Sequence, residues 1–293
     1  MSAVIMDGKA LGMKIRENVK ARSSALREKG IVPCLAVVLV GEDAPSLSYV
    51  KSKEKALAEN EMESRDIRLP EATSEDALLS LIGELNRDEK IHGILVQSPV
   101  PKHIDEEKVT AAITPEKDVD CFHPVSVGNM ILNRPGFLPC TPHGVLVLLR
   151  EYNIPVSGAH VVVVGRSNIV GKPLANLLIR RDYNATVTLC HTGTKDLGSH
   201  TSRADILIVA AGRPALIKAE MVREGAAVID VGINRVPDPS AKKGYRLCGD
   251  VDPAVAEKAA FFSPVPGGVG PMTIAMLLQN VVEAAERRIF HDN

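Results

Sequence analysis

The chain has 293 residues, which is enough for two domains of ordinary size. Its 35 lysines and arginines almost balance its 36 aspartates and glutamates, so no long-range field marks it as a nucleic-acid or membrane-surface binder. Aromatic residues make up only 3% of the sequence, and this scarcity disfavours both base stacking and an all-β sandwich.

The first part of the chain predicts helices that alternate with strands. Apolar residues at helical spacing predict a helix from Asp7, a typical N-cap, to Gly30. The alternation that follows implies right-handed crossovers and a mainly parallel sheet. The predicted elements are strand Cys34–Val40, a helix to about Asn60, a weaker strand near Glu63–Leu69, a helix over 74–86 that Ser74 caps, and a strand over 91–97.

The stretch from Pro99 to Pro142 breaks this regularity. It contains seven prolines, which interrupt any helical or strand period. We therefore predict mainly loop here, with one short helix after Asp105, and place a domain boundary and an interdomain cleft in this stretch.

Regular alternation resumes after Pro142 and predicts a second α/β unit. The last helix follows a turn rich in proline and glycine, and we expect it to pack back on the first domain. The predicted elements are a helix over 144–152, strand His160–Val164, a helix from about Val170, strands Thr186–Cys190, 205–210 and 226–231, and a final helix over 271–288.

The segment 161–173 predicts a strand, a glycine turn and a helix, an arrangement that offers backbone N–H groups to a pyrophosphate. The pattern is not the usual Gly-x-Gly-x-x-Gly, because Ser167 and Val170 stand where the later glycines would be. A dinucleotide site and an ordinary strand-to-helix turn are both open on this segment alone.

Two details favour NADP as the dinucleotide. The next predicted strand runs into His191 and Thr192 without the carboxylate that would bind the ribose 2′-hydroxyl of NAD. Arg166 lies inside the glycine turn, where a guanidinium can pair with the 2′-phosphate of NADP. The alternative for Arg166 is a solvated turn residue.

Candidate catalytic side chains gather in the first part of the chain. Tyr49 and Lys53 project from one face of a predicted helix, and Gln97 ends a predicted strand. Because ligands lie beyond the carboxyl ends of strands in open α/β sheets, all three side chains would face the same ligand crevice. A desolvated lysine there could transfer protons near neutral pH, whereas a lysine on a solvated face is the simpler interpretation.

Three further segments are candidates for ligand binding. Asp118 and Asp120 lie in the proline-rich stretch, where an aspartate either caps a turn or accepts paired N–H donors from a heterocycle. The segment 263–273 places three glycines and three prolines before a helix, which is unusual for a mere connector. The segment 230–234, at a strand end, is a weaker candidate.

Metal, disulfide and membrane chemistry are not indicated. The five cysteines form no Cys-x-x-Cys pair, and the eight histidines show no metal-ligand spacing. The first residues lack the layout of a signal peptide, and the longest apolar runs are too short to span a bilayer. We expect a cytoplasmic protein with no metal ion, no nucleic-acid partner and no membrane partner.

Five segments carry a joint signal, and they span nearly the whole chain. They are 49–53 (Tyr-Val-Lys-Ser-Lys), 93–97 (Gly-Ile-Leu-Val-Gln), 117–120 (Lys-Asp-Val-Asp), 165–171 (Gly-Arg-Ser-Asn-Ile-Val-Gly) and 266–273 (Pro-Gly-Gly-Val-Gly-Pro-Met-Thr). In this order they resemble the bifunctional methylenetetrahydrofolate dehydrogenase/methenyltetrahydrofolate cyclohydrolase family. The resemblance implies oxidation of 5,10-methylenetetrahydrofolate to 5,10-methenyltetrahydrofolate with NADP, then hydrolysis to 10-formyltetrahydrofolate in the same site, within one-carbon metabolism and purine biosynthesis.

The resemblance also implies roles for single residues. Lys53 would transfer protons, Tyr49 would orient or stack on the folate, Gln97 would hold and tune Lys53, and Asp120 would grip the pterin amino group. The implied folate site also includes Pro266, Gly267 and Gly268. The implied cofactor site comprises Gly165, Arg166, Ser167, Gly171, Thr192, Ile233 and Thr273.

The architecture implied by the resemblance is two α/β domains around a cleft, the second Rossmann-like, in a homodimer joined through the cofactor domain. We expect a folate-binding catalytic domain over 1–141 and an NADP-binding domain over 142–271. The final helix, 272–293, is expected to pack back on the catalytic domain.

Two residues depart from the family's pattern. Ser98 stands where the family typically has leucine, and Cys121 where it typically has glycine. Both flank folate-side residues, so they bear on substrate affinity more than on reaction type.

Three alternatives stay open: a dehydrogenase without cyclohydrolase activity, an enzyme similar to shikimate dehydrogenase, and a folate- or nucleotide-binding module without turnover. Intact Lys53, Gln97 and Asp120 disfavour the last, and a shikimate-dehydrogenase-like enzyme would not explain the segment 266–273.

Overall fold

The computed structural model describes residues 2–41, 44–241 and 244–289, with the side chains of 44–49 and 289 left aside. The chain divides into two compact units. Unit 1 comprises Met1–Gly12 and Pro139–Thr273, and unit 2 comprises Met13–Leu138 and Ile274–Asn293. Each unit has its own parallel sheet with helices, so the predicted α/β class is confirmed.

Helices and strands alternate along most of the described chain. In chain order they are β1 (Val4–Ile5), α1 (Gly8–Glu28), β2 (Cys34–Val40), α2 (Ala44–Glu59), β3 (Glu63–Leu69), α3 (Glu75–Arg87), β4 (Gly93–Val96), α4 (Glu106–Ala112), α5 (Pro124–Ile131), α6 (Cys140–Glu151), β5 (His160–Val164), α7 (Gly171–Leu178), β6 (Thr186–Cys190), α8 (Leu197–Thr201), β7 (Ile206–Val209), β8 (Ala227–Asp230), β9 (Asn234–Pro237), β10 (Tyr245–Cys248), β11 (Phe261–Ser263) and α9 (Val269–Ile289).

Unit 2 contains a three-stranded parallel sheet in the order β3–β2–β4. Every residue of β2 is buried, as expected for a central strand covered on both faces, while β3 is an edge strand with mostly exposed or half-exposed residues. Helix α3 covers the sheet with Leu78, Ile82 and Leu85. Because β3 and β4 lie on opposite sides of β2, the carboxyl ends of β2 and β4 form a topological switch point.

Unit 1 contains a six-stranded sheet in the order β1–β11–β8–β7–β5–β6, with every neighbouring pair parallel. Strands β7 and β8 are buried along their whole length. The chain passes from β5 to β6 on one side and then to β7 on the other, so β5 marks the switch point of this sheet.

The structure groups the N-terminal residues differently from the expected domain over 1–141. Residues 1–12 belong to unit 1, because β1 pairs with β11 and the Lys9 N–H donates to the Gly267 carbonyl at 3.0 Å. The short strands β1 and β11 carry too few residues for a period-two pattern, so they were not predicted.

The proline-rich stretch holds a helix that was predicted as loop. Helix α5 begins at Pro124, and the His123 side chain caps it by accepting the Val125 N–H at 3.0 Å. Similarly, α6 begins at Cys140 rather than 144 and includes Pro142 in its first turn. Proline is tolerated in the first turn because N–H groups there have no helical partner, so reading these prolines as breakers was wrong.

A buried histidine makes unit 2 sensitive to acid. His92 precedes β4, and its Nδ1 accepts the Cys34 N–H at 3.2 Å, which requires the neutral ring. Burial, with the charges of Arg288 and Lys117, lowers the pKa of His92 to about 4. Since the unfolded chain binds a proton near pH 6.5, folding free energy is lost as pH falls from about 6.5 to about 4.

The expected loss from His92 is about 3 kcal/mol between pH 7 and pH 4. His92→Asn keeps an acceptor but does not titrate in this range, so its stability should fall less over the same interval. Urea denaturation followed by circular dichroism measures both, and the exposed His103→Asn serves as control. Equal acid sensitivity of wild type and His92→Asn would contradict the assignment.

Candidate active site

Lys53 and Gln97 meet at the carboxyl end of the unit 2 sheet. Lys53 lies on α2, Gln97 follows β4, and both are half-buried. The Lys53 Nζ donates to Gln97 Oε1 at 3.1 Å, and Gln97 Nε2 donates to the Ser98 carbonyl at 2.9 Å. Because that carbonyl can only accept, the amide turns its oxygen toward the lysine. The lysine thus has a neutral acceptor in Gln97.

Tyr49 lies one helical turn before Lys53 on α2, but its side chain is outside the described residues. The backbone therefore places Tyr49 on the helix face that carries Lys53.

The segment that carries Asp120 runs beside β4, where the Ile94 N–H donates to the Lys117 carbonyl at 2.9 Å. The buried Lys117 ammonium donates to the carbonyls of Leu85 and Asp88, at 2.8 and 2.7 Å, at the end of α3. Burial lowers the pKa of Lys117 to about 8. Lys117 therefore ties the Asp120 segment to helix α3.

Asp118 and Asp120 have different surroundings. The buried Asp118 carboxylate accepts the N–H groups of Phe122 and His123 at 3.0 and 2.8 Å, and burial raises its pKa. Asp118 is thus a turn cap. Asp120 is half-buried and follows Val119, whose carbonyl accepts from Asn280 Nδ2 at 2.7 Å. Of the two aspartates, Asp120 is the one suited to a ligand.

The glycine turn after β5 leaves no room for side chains at its two ends. Gly165 has a φ of +123°, and a Cβ there would lie 2.1 Å from the Ala210 carbonyl oxygen. A Cβ at Gly171 would lie 1.9 Å from the Gly165 carbonyl oxygen. Ser167 Oγ accepts the N–H groups of Val170 and Gly171 at 3.2 and 3.4 Å, so Ser167 closes the turn from within.

This turn fits the diphosphate of a dinucleotide. It lies at the switch point of the sheet and leads into α7, whose N-terminus favours anions. Arg166 in the turn and Thr192, just beyond β6, are both exposed. Cationic and hydroxyl side chains therefore stand at the edge where the strands end.

The turn 266–273 contacts Ile233, another predicted cofactor residue of unit 1. Gly267 has a φ of +111°, and a Cβ at Gly8 would lie 1.8 Å from the Gly268 carbonyl oxygen. The Ile233 side chain would lie 3.5 Å from a Cβ at Gly270. Thr273 Oγ1 is 2.9 Å from Thr141 Oγ1, and Pro266 is exposed. The structure thus brings Ile233 to the same turn as Thr273.

Sequence reasoning missed three buried polar residues that hold these segments. Lys117 lies within a recognised segment but was not singled out, and Asn280 and Asp250 lie outside the recognised segments. Asn280 sits among apolar residues of α9, and Asp250 follows Gly249 directly after β10. An isolated polar residue in an otherwise apolar helix is a signal that could have identified Asn280.

The comparisons with known proteins cover both units. Residues 6–120 match the model of the tetrahydrofolate dehydrogenase/cyclohydrolase catalytic domain, and residues 139–289 match that of the NAD(P)-binding domain. The bifunctional protein FolD of Exiguobacterium sibiricum is 56% identical over 285 residues, which are 97% of this chain and 100% of the relative.

The chain belongs to the tetrahydrofolate dehydrogenase/cyclohydrolase family. Two solved structures agree. The FolD enzyme of Campylobacter jejuni has a TM-score of 0.93 and 48% identity, and the match covers 98% of this chain and 100% of that one. FolD of Trypanosoma brucei, solved with NADP cofactor and an inhibitor, has a TM-score of 0.94 and 40% identity, covering 99% of each chain.

Family membership confirms the predicted enzyme class. The chain is a bifunctional enzyme, an oxidoreductase and a hydrolase of folate one-carbon metabolism, and its dehydrogenase uses a nicotinamide dinucleotide. Within the described ranges, no helix is long and apolar enough to cross a membrane. In the same ranges, no group of three His, Cys, Asp or Glu side chains could hold a metal ion.

Proposed function

We propose that the enzyme oxidises 5,10-methylenetetrahydrofolate with NADP and hydrolyses the resulting methenyl compound to 10-formyltetrahydrofolate, using the same folate-binding residues for both steps. The hydrogen bond between Lys53 and Gln97, 3.1 Å long, is the observation that carries this proposal. It gives a lysine at the carboxyl edge of the sheet a partner that leaves its proton mobile.

NADP supplies the hydride acceptor for the oxidation when it is bound. Gly165, Ser167 and Gly171 would hold its diphosphate through the tight turn, and Thr192, Ile233 and Thr273 would line the rest of the cofactor. Arg166 would pair with the 2′-phosphate, because a planar guanidinium can donate two parallel hydrogen bonds to it. The task of these residues is to bind and orient, which positioning alone can accomplish.

Hydrolysis makes the larger demand on proton transfer. Water must bond to the methenyl carbon, and its oxygen must lose both protons to become the formyl oxygen. The bond from that carbon to one ring nitrogen must break as the nitrogen gains one proton, and the other proton is released to solvent. The Lys53 Nζ would take the first proton as a neutral amine and return one as an ammonium. A carboxylate partner would favour the charged amine, whereas the Gln97 amide can accept a hydrogen bond without locking that form.

Asp120 and Tyr49 would hold the substrate in place for both steps. Asp120 would accept hydrogen bonds from the pterin amino group, since a carboxylate pairs well with two adjacent N–H donors. Tyr49 would orient or stack on the folate from the helix that carries Lys53, and the turn with Pro266, Gly267 and Gly268 would complete the folate contacts.

The proposal extends to the organisation of the protein. The folate residues would belong to a catalytic domain built mainly from 13–138, with the final helix, and the NADP-binding domain would follow from about 139. We propose a cytoplasmic homodimer that serves purine biosynthesis and binds no nucleic acid. Light scattering at micromolar concentration should give about twice the chain mass of 31.4 kDa, and a 31.4 kDa species alone would contradict the dimer.

The Lys53 assignment is tested by Lys53→Met, which keeps the stem of the side chain and removes its proton carrier. We expect hydrolysis of methenyltetrahydrofolate, followed by its absorbance, to fall about 10²- to 10⁴-fold. Binding of NADP should persist, and dehydrogenase activity should fall less, because stacking folate on nicotinamide needs no proton carrier.

Lys55→Met is the matched control, because Lys55 is exposed on the same helix and pairs only weakly with Glu59 at 3.7 Å. It should retain wild-type hydrolysis. If Lys53→Met hydrolyses at a rate near that of wild type, Lys53 is a solvated lysine without a catalytic role. Absence of methenyl formation and hydrolysis in the wild type would reject the proposed function as a whole.

The choice of cofactor is tested by Arg166→Ala. Losing a charge-assisted contact to the 2′-phosphate should weaken NADP binding about ten- to a hundredfold and leave NAD little changed. Calorimetric titration with each dinucleotide measures both affinities. Arg203→Ala is the control, because exposed Arg203 precedes β7 and so lies at the amino ends of the strands, away from the glycine turn at their carboxyl ends. An equal loss for both cofactors would show that Arg166 shapes the turn instead of binding the phosphate.

A further inference from the structure

Two buried aspartates stand behind the loops that follow β7 and β8. Asp230 ends β8 and is 1% exposed, and Asp250 follows β10 and is 0% exposed. The proposed reaction uses neither of them. A buried carboxylate is costly unless hydrogen bonds satisfy it, so their partners indicate what they do.

Asp250 binds the loop after β7 through its backbone. Its Oδ2 accepts the N–H groups of Ala211 and Gly212 at 2.6 and 2.8 Å, and its Oδ1 accepts that of Arg213 at 2.9 Å. The Asn234 side chain adds a fourth hydrogen bond at 2.8 Å. Three consecutive amides around one carboxylate form a concave backbone site with its anion built in.

Asp230 holds Asp250 in turn. Its Oδ1 accepts the Asp250 N–H at 2.9 Å and the Gly232 N–H at 3.0 Å, and its Oδ2 accepts the Val251 N–H at 2.9 Å. Burial, opposed by these hydrogen bonds and reinforced by the charge of Asp250, raises the pKa of Asp230 to about 6. The two carboxylates thus join the loops after β7 and β8 to the segment after β10.

Glycines on both sides leave this arrangement no slack. A Cβ at Gly232 would lie 2.2 Å from Asp250 Cγ, and a Cβ at Gly249 would lie 1.7 Å from Asp230 Oδ2. No other residue could occupy either position without displacing a carboxylate, so the packing fixes both aspartates.

The loops held in this way border two segments of the predicted cofactor site. The Ala210 carbonyl oxygen lies 2.1 Å from the position of a Cβ at Gly165, so the loop after β7 packs against the turn itself. Ile233 directly follows Gly232, and its side chain lies 3.5 Å from the position of a Cβ at Gly270, in the separate turn 266–273. A shift of the loop after β7 would therefore disturb the glycine turn, and a shift of the loop after β8 would move Ile233.

We propose that Asp250, supported by Asp230, is a positioning residue for the dinucleotide. The carboxylate occupies the amides of 211–213, so anion binding stays with the turn 165–171 and the loops keep one shape before the cofactor arrives. Preorganisation of this kind improves affinity because less ordering remains to be done on binding. The inference rests on the proposed function only in taking unit 1 as the NADP-binding unit.

Asp250→Asn tests the proposal. The amide has the size of the carboxylate, but its nitrogen cannot accept from the loop amides. NADPH affinity, titrated by the emission of NADPH itself in a protein without tryptophan, should weaken at least about tenfold. Hydrolysis of methenyltetrahydrofolate needs no dinucleotide, so its rate should stay within about threefold of wild type if only the loops are disturbed.

Asp252→Asn is the matched control, because Asp252 lies two residues away and caps a short helical turn by accepting the Ala254 N–H at 3.1 Å. Its NADPH affinity should equal that of wild type. If Asp250→Asn fails to fold, Asn234→Ala, which removes one side-chain partner of Asp250, decides the question and should weaken NADPH binding about threefold or more.

Unchanged NADPH affinity in a folded Asp250→Asn, or in Asn234→Ala when Asp250→Asn does not fold, would overturn the proposal. A parallel fall of NADPH affinity, hydrolysis and melting temperature would also overturn it, because that pattern belongs to a merely structural residue. If the wild type binds NADPH but does not hydrolyse methenyltetrahydrofolate, that result would instead count against the proposed function alone.

Discussion

The hydrogen bond from Lys53 to the Gln97 amide ties the proposed chemistry of this enzyme to its fold. It forms because α2 follows β2, while Gln97 directly follows the neighbouring parallel strand β4. Parallel strands bring their carboxyl ends to one edge, so residues 44 positions apart in sequence meet there. An acidic residue at position 97 would make an ion pair and favour the charged lysine.

Buried polar side chains recur wherever a loop must keep its shape. In unit 2, Lys117 and Asp118 hold the segment of Asp120 through backbone carbonyls and amides. In unit 1, Asp230 and Asp250 do the same for the loops of the sheet edge. Loops lack the regular backbone hydrogen bonds of helices and sheets, so side chains must bind the N–H and C=O groups of a loop that is buried. Buried side chains thus fix the irregular segments to the helices and strands beside them.

The sequence predicts the long elements well because they carry a clear period. The bounds of strands such as Cys34–Val40 and Thr186–Cys190 were predicted to the residue, and Ser74 and Asp105 cap their helices as expected. It does not predict α5 or the short strands β1 and β11. Proline is tolerated in the first turn of a helix but breaks a helix in its interior, so a proline alone does not show which case applies. Strands of two or three residues are too short for a period-two pattern and form only by pairing with neighbouring strands.

The sequence predicts the residues of the candidate site better than the buried polar residues that hold its loops. Lys53, Gln97 and the glycine turn carry motif signals, whereas Asp250 and Asn280 act through backbone groups more than 30 residues away. A polar residue in an apolar helix marks Asn280 as unusual, but no local pattern identifies the distant backbone groups that either residue contacts. The residue pattern also could not decide between Asp118 and Asp120 as a turn cap, since both stand in the same loop. The burial of Asp118 and its hydrogen bonds from Phe122 and His123 separate the two.

Cys121 illustrates how far such a loop can depart from the family's pattern. Its φ is +59°, in the left-handed region, which explains why glycine is typical there. A side chain in this conformation costs roughly 1–2 kcal/mol. The Cys121 side chain is fully buried, so the apolar surface that it removes from water offsets part of that cost. Burial also raises the pKa of the thiol, which therefore stays neutral beside Asp118 and Asp120. A charged group at position 121 would disturb the neighbouring Asp120 carboxylate. The neutral Cys121 side chain brings no such charge, so the loop can keep Asp120 in place although glycine, which has no side chain, is typical at this position.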